Sequence, residues 1–386
     1  MTTARDLSNI VGTLSRQGLN KPNCNPIIIN GDMTVEEHGI NQTLTGLGDG
    51  DEGYLLHDRM RHTITAGAGR FTLANADITD LSEHSKALHI DVTTADASLS
   101  TTSSVYNLDY RIEGFDIATL LKWGDTSNDS SAEYITLAFY MKTDQAYTFT
   151  VGLINSDHSR HIRRSFTTTT SWTKHIITFP PDIGNSPNSD IGEGLRLRFT
   201  FSAGSDFTSG TLATDWEATT SANAHVGGSN IFASTDGDIK LTGLQMEIGQ
   251  YDSDSIPNFL YNGDRTLDYE RCQRYAQLRA VESNQAIGHG NAYSSTILKI
   301  DTMQRGQMRT TPTVVQNTNN DDIRWNSEDS FDTTDTVTGT EFGSIHGITL
   351  NCNSASAGQA FSLTQGSYCL VYGSASTVKI LMSSEL

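Results

Sequence analysis

Leu195-Arg196-Leu197-Arg198-Phe199-Thr200-Phe201 alternates apolar and polar side chains at every step. A period of two puts the four apolar residues on one face of an extended strand and the two arginines and the threonine on the other. The same reading extends outward in both directions. Leu88, Ile90 and Val92 alternate with polar residues, as do Ile135, Leu137, Phe139 and Met141, and Tyr147, Phe149, Val151 and Leu153. Short strands with one face buried and one wet, at this spacing, predict a β-sandwich of jelly-roll type.

Composition points the same way. In 386 residues only 36% are hydrophobic and 18% charged, and Thr, Ser, Asn, Asp and Gly fill the remainder. Those residues favour strands and tight turns over helices. The chain is expected to be all-β: a jelly-roll β-sandwich, then a smaller C-terminal β-sandwich. A short N-terminal helix and a connecting helix complete it. The divisions expected are 1–24 for the N-terminal helix and linker, 25–262 for the jelly roll, 263–284 for the connecting helix and 285–386 for the second β domain.

Leu7, Ile10, Val11 and Leu14 lie at i, i+3, i+4 and i+7, one face of a helix. A helix this short is marginal alone, so its stripe must dock within the chain, in an oligomer or on a larger assembly. Asn20 to Pro26 breaks the pattern, and Thr266 to Ser283, free of Gly and Pro, predicts the connecting helix.

Charge narrows the function classes. With 26 basic against 45 acidic residues the net charge is −19. Repulsion from phosphate argues against nucleic acid and against an anionic membrane surface. No stretch is apolar enough to span a bilayer, and the opening residues lack the apolar core of a secretory signal. Cys24, Cys272, Cys352 and Cys369 show neither CxxC pairing nor metal-ligand spacing, as reduced thiols of a protein made in cytoplasm would.

Specific segments carry a resemblance. They are Asn25-Pro26-Ile27-Ile28-Ile29-Asn30-Gly31-Asp32-Met33, Tyr54-Leu55-Leu56-His57-Asp58-Arg59-Met60, Arg111-Ile112-Glu113-Gly114-Phe115-Asp116-Ile117-Ala118-Thr119-Leu120, Ser171-Trp172-Thr173-Lys174, Leu241-Thr242-Gly243-Leu244-Gln245-Met246-Glu247-Ile248-Gly249 and Glu270-Arg271-Cys272-Gln273-Arg274-Tyr275. In this order they resemble elements of a group of bacteriophage tail-fibre and tail-associated structural proteins whose jelly roll is like that of carbohydrate-binding modules. Met308-Arg309-Thr310-Thr311-Pro312-Thr313-Val314 is similar to a strand of the group's usual C-terminal domain. Two departures stand out: Met60 replaces a usual Trp, and Val35-Glu36-Glu37 stands where an aromatic residue usually follows the first Asn-Gly-Asp. The resemblance implies a virion component made in host cytoplasm, assembled with other virion proteins as a homotrimer and binding a host-surface glycan. The alternative is a purely structural capsid-decoration or head-fibre protein.

Candidate sites follow from residue chemistry. Trp123, Trp325 and Tyr293, in polar settings, are candidate sugar-stacking aromatics, whereas Trp172 is expected in the core. Asn30, Asp32 and Glu247, on the first and last strands of the jelly roll, are candidate oxygen ligands for Ca²⁺, the one cofactor considered. Arg111, Glu113 and Asp116 read as a structural ion pair rather than a carboxylate pair for glycoside cleavage. His158 and His161 fall in a hairpin setting unsuited to zinc. No nucleophile, metalloprotease or phosphate-loop motif occurs, so no catalytic residues are expected.

Overall fold

A computed structural model of the chain describes residues 26–39, 43–99, 101–124, 131–259, 265–281, 283–294, 297–302, 306–316, 323–327, 330–339, 348–354, 368–373 and 378–386. Two compact units divide it near residue 268, the boundary falling inside one helix. The stripe of Leu7, Ile10, Val11 and Leu14 lies outside the described residues.

The first unit contains β1 (Thr43–Leu47), β2 (Gly53–Tyr54), β3 (Met60–Thr65), β4 (Arg70–Asp77), β5 (Lys86–Thr94), β6 (Val105–Glu113), β7 (Ile135–Thr143), β8 (Thr148–Asn155), β9 (Arg160–Thr167), β10 (Thr173–Phe179), β11 (Glu193–Ala203), β12 (Glu217–Ala218) and β13 (Asp238–Ile248). These form two antiparallel sheets. One has six strands in the order β1-β4-β5-β13-β7-β10; the other has seven, β12-β9-β8-β11-β6-β3-β2. Neighbours in space are mostly distant in sequence, as a jelly roll requires.

The alternation read in the sequence supplies the interior. Leu195, Leu197, Phe199 and Phe201 of β11 are buried against Leu137, Phe139 and Met141 of β7 and Leu88, Ile90 and Val92 of β5. Phe139 of the six-stranded sheet meets Phe199 of the seven-stranded sheet edge-on, with ring centroids 5.0 Å apart. Phe71 and Tyr106 bridge the sheets again at 4.9 Å. Such aromatic pairs add to the burial of apolar area that drives the two sheets together.

The Asn30-Gly31-Asp32 segment runs beside β13, where Leu244 N–H donates to Gly31 C=O at 2.8 Å. A Cβ on Gly31 would stand 2.0 Å from the Leu244 carbonyl oxygen. Gly31→Ala is therefore expected to cost about 2 kcal/mol through forced backbone displacement, read as a lowered urea midpoint; an unchanged midpoint would show that the segment shifts freely.

Helix α1 (Gly114–Leu121) belongs to the first unit, and α2 (Arg265–Cys272) contains the boundary. The connecting helix was expected over 263–284, but α2 ends at Cys272. The chain then turns and extends as β14 (Ala276–Val281). Tertiary pairing decides this: Ala276 through Val281 is matched residue for residue with Ser383 back to Val378. That ladder satisfies the backbone better than a few more turns of a marginal helix. Cys272 is buried.

The second unit continues with β15 (Ala286–Ala292), β16 (Ile297–Thr302), β17 (Thr313–Gln316), β18 (Ile323–Ser327), β19 (Ser330–Gly339), β20 (Ile348–Ser354), β21 (Tyr368–Gly373) and β22 (Val378–Ser383). β14, β22 and β17 form a three-stranded sheet. The other strands close into a barrel, β15-β16-β20-β19-β18-β21, where a second sandwich was expected. Pairing β15 with both β16 and β21 closes the ring and removes its edges. Gly290 of β15 permits the close approach, since a Cβ there would lie 1.9 Å from the Lys299 carbonyl oxygen. The chain is thus all-β, with a jelly-roll sandwich as its larger part.

Candidate functional site

The expected aromatic platforms divide three ways. Trp123 is 1% exposed and belongs to the core, a correction of its expected exposure. Lys122, with φ of 55°, turns the chain back at the end of α1. Trp123 folds inward there, donates from Nε1 to the Glu133 carbonyl at 2.7 Å and meets Trp216 edge-on. Trp325 falls on β18, and its side chain lies outside the described residues. Tyr293, just after β15, is 48% exposed, with the Lys299 ammonium 3.6 Å from its ring centroid. Tyr368, 73% exposed, stacks on His289 of the same barrel.

The calcium candidates have hydrogen-bond partners within the protein. Asn30 is buried and its amide donates to the Asp58 carbonyl at 3.0 Å. Asp32 accepts from the Thr34 hydroxyl. Glu247 accepts from the Gln245 amide at 2.8 Å, and burial pushes its carboxyl above the usual range. Among the described residues no group of three or more His, Cys, Asp or Glu is placed to hold a metal ion.

Arg111 pairs with Glu193 at 3.3 Å rather than with Glu113 or Asp116, correcting the partner expected for it. Glu113 is buried at the start of α1. His158 sits in a turn with φ of 59° against Glu193 and Arg196, while His161 is buried on β9 facing Glu217. The two imidazoles thus face different partners.

A site that sequence reasoning missed lies on the outer side of the six-stranded sheet. Trp172, expected in the core, is only partly buried at the start of β10, and its Nε1 donates to Asp80 Oδ1 at 2.8 Å. Asp80 also takes the Lys142 ammonium at 2.6 Å. These two hydrogen bonds hold its exposed carboxyl below the usual range. Tyr140 of β7 lies opposite Lys174 of β10, whose ammonium is 5.5 Å from the Tyr140 ring centroid. The Tyr140 hydroxyl donates to Glu83 at 2.9 Å; burial and Glu83 push it up to about 12, so it stays a donor.

Behind Tyr140 the rings of His84 and Phe259 meet edge-on. Gly243, with φ of +63°, makes room for them; a Cβ there would come within 2.6 Å of His84 Nε2. The corner therefore combines two oriented aromatic rings with two carboxylates and two ammonium groups. Aromatic faces suit the apolar side of a sugar ring, and the ionic rim suits its hydroxyls. The missed signal was the polar run Thr167-Thr168-Thr169-Thr170-Ser171 ahead of Trp172, which marks a solvent-facing turn.

The seven-stranded sheet presents a different outer face. Ladder pairing aligns Arg61, Asp109, Arg198, Gly152 and Arg163 across β3, β6, β11, β8 and β9. The next row holds Arg111, Arg196, Ile154, His161 and Glu217. Arg198 grips Asp109 through two bonds of 2.7 Å, and Arg196 grips Glu193 through two of 2.9 Å. Burial alone would raise the Asp109 carboxyl, but Arg198, Arg196 and Arg111 bring it below the usual range.

No family model matches the sequence, and no curated protein matches it significantly. Solved structures match with low scores. An enzymatically active domain of the tailspike protein 4 of bacteriophage CBA120 shares 9% identity at a TM-score of 0.28, over 58% of this chain and 21% of that one. A CBM4 structure shares 13% identity at a TM-score of 0.26, over 57% of this chain and 97% of the other. The family 11 carbohydrate-binding module of a Clostridium thermocellum cellulosomal cellulase shares 13% identity at 0.24, over 58% of this chain and 95% of that one.

Proposed function

We propose that the protein is a glycan-binding component of a phage virion, a tail fibre or tail-associated protein, and that it binds sugar without cleaving it. In this reading it assembles with other virion proteins as a homotrimer and attaches the particle to its host. The ordered motifs from Asn25 to Tyr275 support the virion part. One observation carries the binding part: Trp172 and Tyr140 hold aromatic surface at the edge of the jelly roll, rimmed by Asp80, Glu83, Lys142 and Lys174. Each ring is fixed in place before any ligand arrives, which lowers the ordering cost of binding.

Adsorption of the purified chain to host cells, competed by their surface polysaccharide, tests this reading. Trp172→Ala and Tyr140→Ala are expected to weaken adsorption by about tenfold each, about 1.4 kcal/mol of lost stacking, with circular dichroism unchanged. Adsorption that survives both changes would move binding away from this corner. Absence of adsorption by the parent chain would favour a purely structural virion role. Release of reducing sugar from the polysaccharide would overturn the non-enzymatic reading.

A further inference from the structure

The chain carries a net charge of −19, yet five arginines gather on two adjacent rows of the seven-stranded sheet. Two carboxylates, Asp109 and Glu193, are shared among three of them, Arg111, Arg196 and Arg198; Arg61 reaches the exposed Glu52. Arg163 is the extreme case. It is 2% exposed, and its Nε and Nη1 find no hydrogen-bond acceptor among the described residues. Its side chain crosses the bare backbone of Gly152, where a Cβ would meet Arg163 Cδ at 2.6 Å. Burial, Arg198 and Arg196 pull its guanidinium down to about 9 despite Asp109. Its row sets Arg61, Arg198 and Arg163 against the single carboxylate of Asp109.

The segment after β11 lies over β8 and β9: Ala213 C=O takes the Arg163 N–H at 2.6 Å, and His225 meets the Thr150 hydroxyl. Towards β6 and β3, Arg61, Arg111 and Arg198 remain partly exposed. There the Arg111 guanidinium and the Tyr54 hydroxyl converge on a single acceptor, the Leu386 carbonyl oxygen, at 2.5 and 3.0 Å. The chain's own Leu386 occupies this acceptor position, which shows that the Arg111 guanidinium takes an oxygen ligand here.

We propose that this outer face is an anion site, in which Arg61, Arg111 and Arg198, backed by Arg163, take a carboxylate or phosphate group of an acidic surface polymer. Guanidinium forks match both groups bidentately, and a bound anion would supply the counter-charge that Asp109 and Glu193 do not. The attraction is strengthened by the partly desolvated setting and screened by salt. The site lies on the opposite sheet from the Trp172 corner and does not depend on it.

The experiment measures binding of the full chain to polyglucuronate and to polyglycerol phosphate, with neutral dextran as control and ionic strength matched with chloride. The expected result is affinity for at least one polyanion, weakened by about tenfold in Arg61→Gln and in Arg163→Met. Binding of polyglucuronate alone assigns the site to carboxylates, and binding of polyglycerol phosphate alone assigns it to phosphodiesters. Arg163→Met is further expected to melt no lower than the parent in chloride, because it removes a buried cation with unmet hydrogen bonds. Trp172→Ala should retain the polyanion affinity; its loss there would overturn the proposal. Equal affinity for dextran, or affinity unchanged in both arginine variants, would overturn it as well.

Discussion

Taking the protein from about pH 7 to about pH 5 is expected to destabilise the jelly roll by several kcal/mol, well before its carboxylates titrate. Burial pulls His57 and His62 down to about 3, and His225 to about 4, from an ordinary 6.5. His62 lies in the core on β3, hydrogen-bonded to the Tyr106 hydroxyl at 3.0 Å, and His57 is completely buried beside Asn75. These rings are neutral when folded, whereas in the unfolded chain they take up protons as pH falls below about 6.5. The unfolded state then binds more protons, so stability is present above that pH and is lost as pH falls towards the folded values.

Each histidine contributes about 2 kcal/mol of loss over this interval, and three together approach the whole stability of a weak domain. Asp109, Glu193 and Asp238, whose carboxyls their cationic partners hold low despite burial, lose their contribution only in more acidic solution. Burial raises Glu247 and Asp182, which oppose the trend by shedding a buried charge. Urea midpoints across the interval measure the effect, and His62→Gln should remove about a third of the slope. A midpoint that stays level down to pH 5 would contradict it.

Asp109→Ala is expected to cost about 3–5 kcal/mol, as breaking a buried ion pair from one side does. Asp109 is fully buried between Arg61 and Arg198 in its row, held bidentately by Arg198 and approached by Arg196 at 3.7 Å. Without it, Arg198 and Arg163, neighbours across Gly152, lose the one carboxylate of their row. The same variant should gain stability on added phosphate more steeply than the parent, because an external anion then replaces the missing charge. Urea unfolding by circular dichroism reads both effects, and a loss below about 0.5 kcal/mol would show that water already reaches the row.

Legibility in the sequence tracked locality. Alternation along β5, β7, β8 and β11 could be read directly, because the period-two pattern is a property of one strand and one buried face. Burial of Phe139, Phe199 and Phe201 followed from it. Trp123 and Trp172 were misplaced in opposite senses. Trp123 follows a left-handed turn that folds it inward, a geometry not written in its neighbours' hydropathy, whereas Trp172 leads a strand at the rim behind a polar run that signals it. The residues after Cys272 held no strand signal stronger than their helical one, and β22, over a hundred residues away, made them a strand.

The sequence by itself determined that the chain is all-β, that a jelly roll forms its larger part, and which side chains of β5, β7, β8 and β11 face inward. Tertiary structure alone decided that the second unit closes as a barrel, that Tyr140 and Trp172 share a corner with Asp80 and Glu83, and that five arginines drawn from β3, β6, β9 and β11 meet in two rows. The reason is physical. Hydropathy along a strand selects its buried face, but register between strands selects which outward side chains become neighbours, and register is set by ladders between residues remote in the chain.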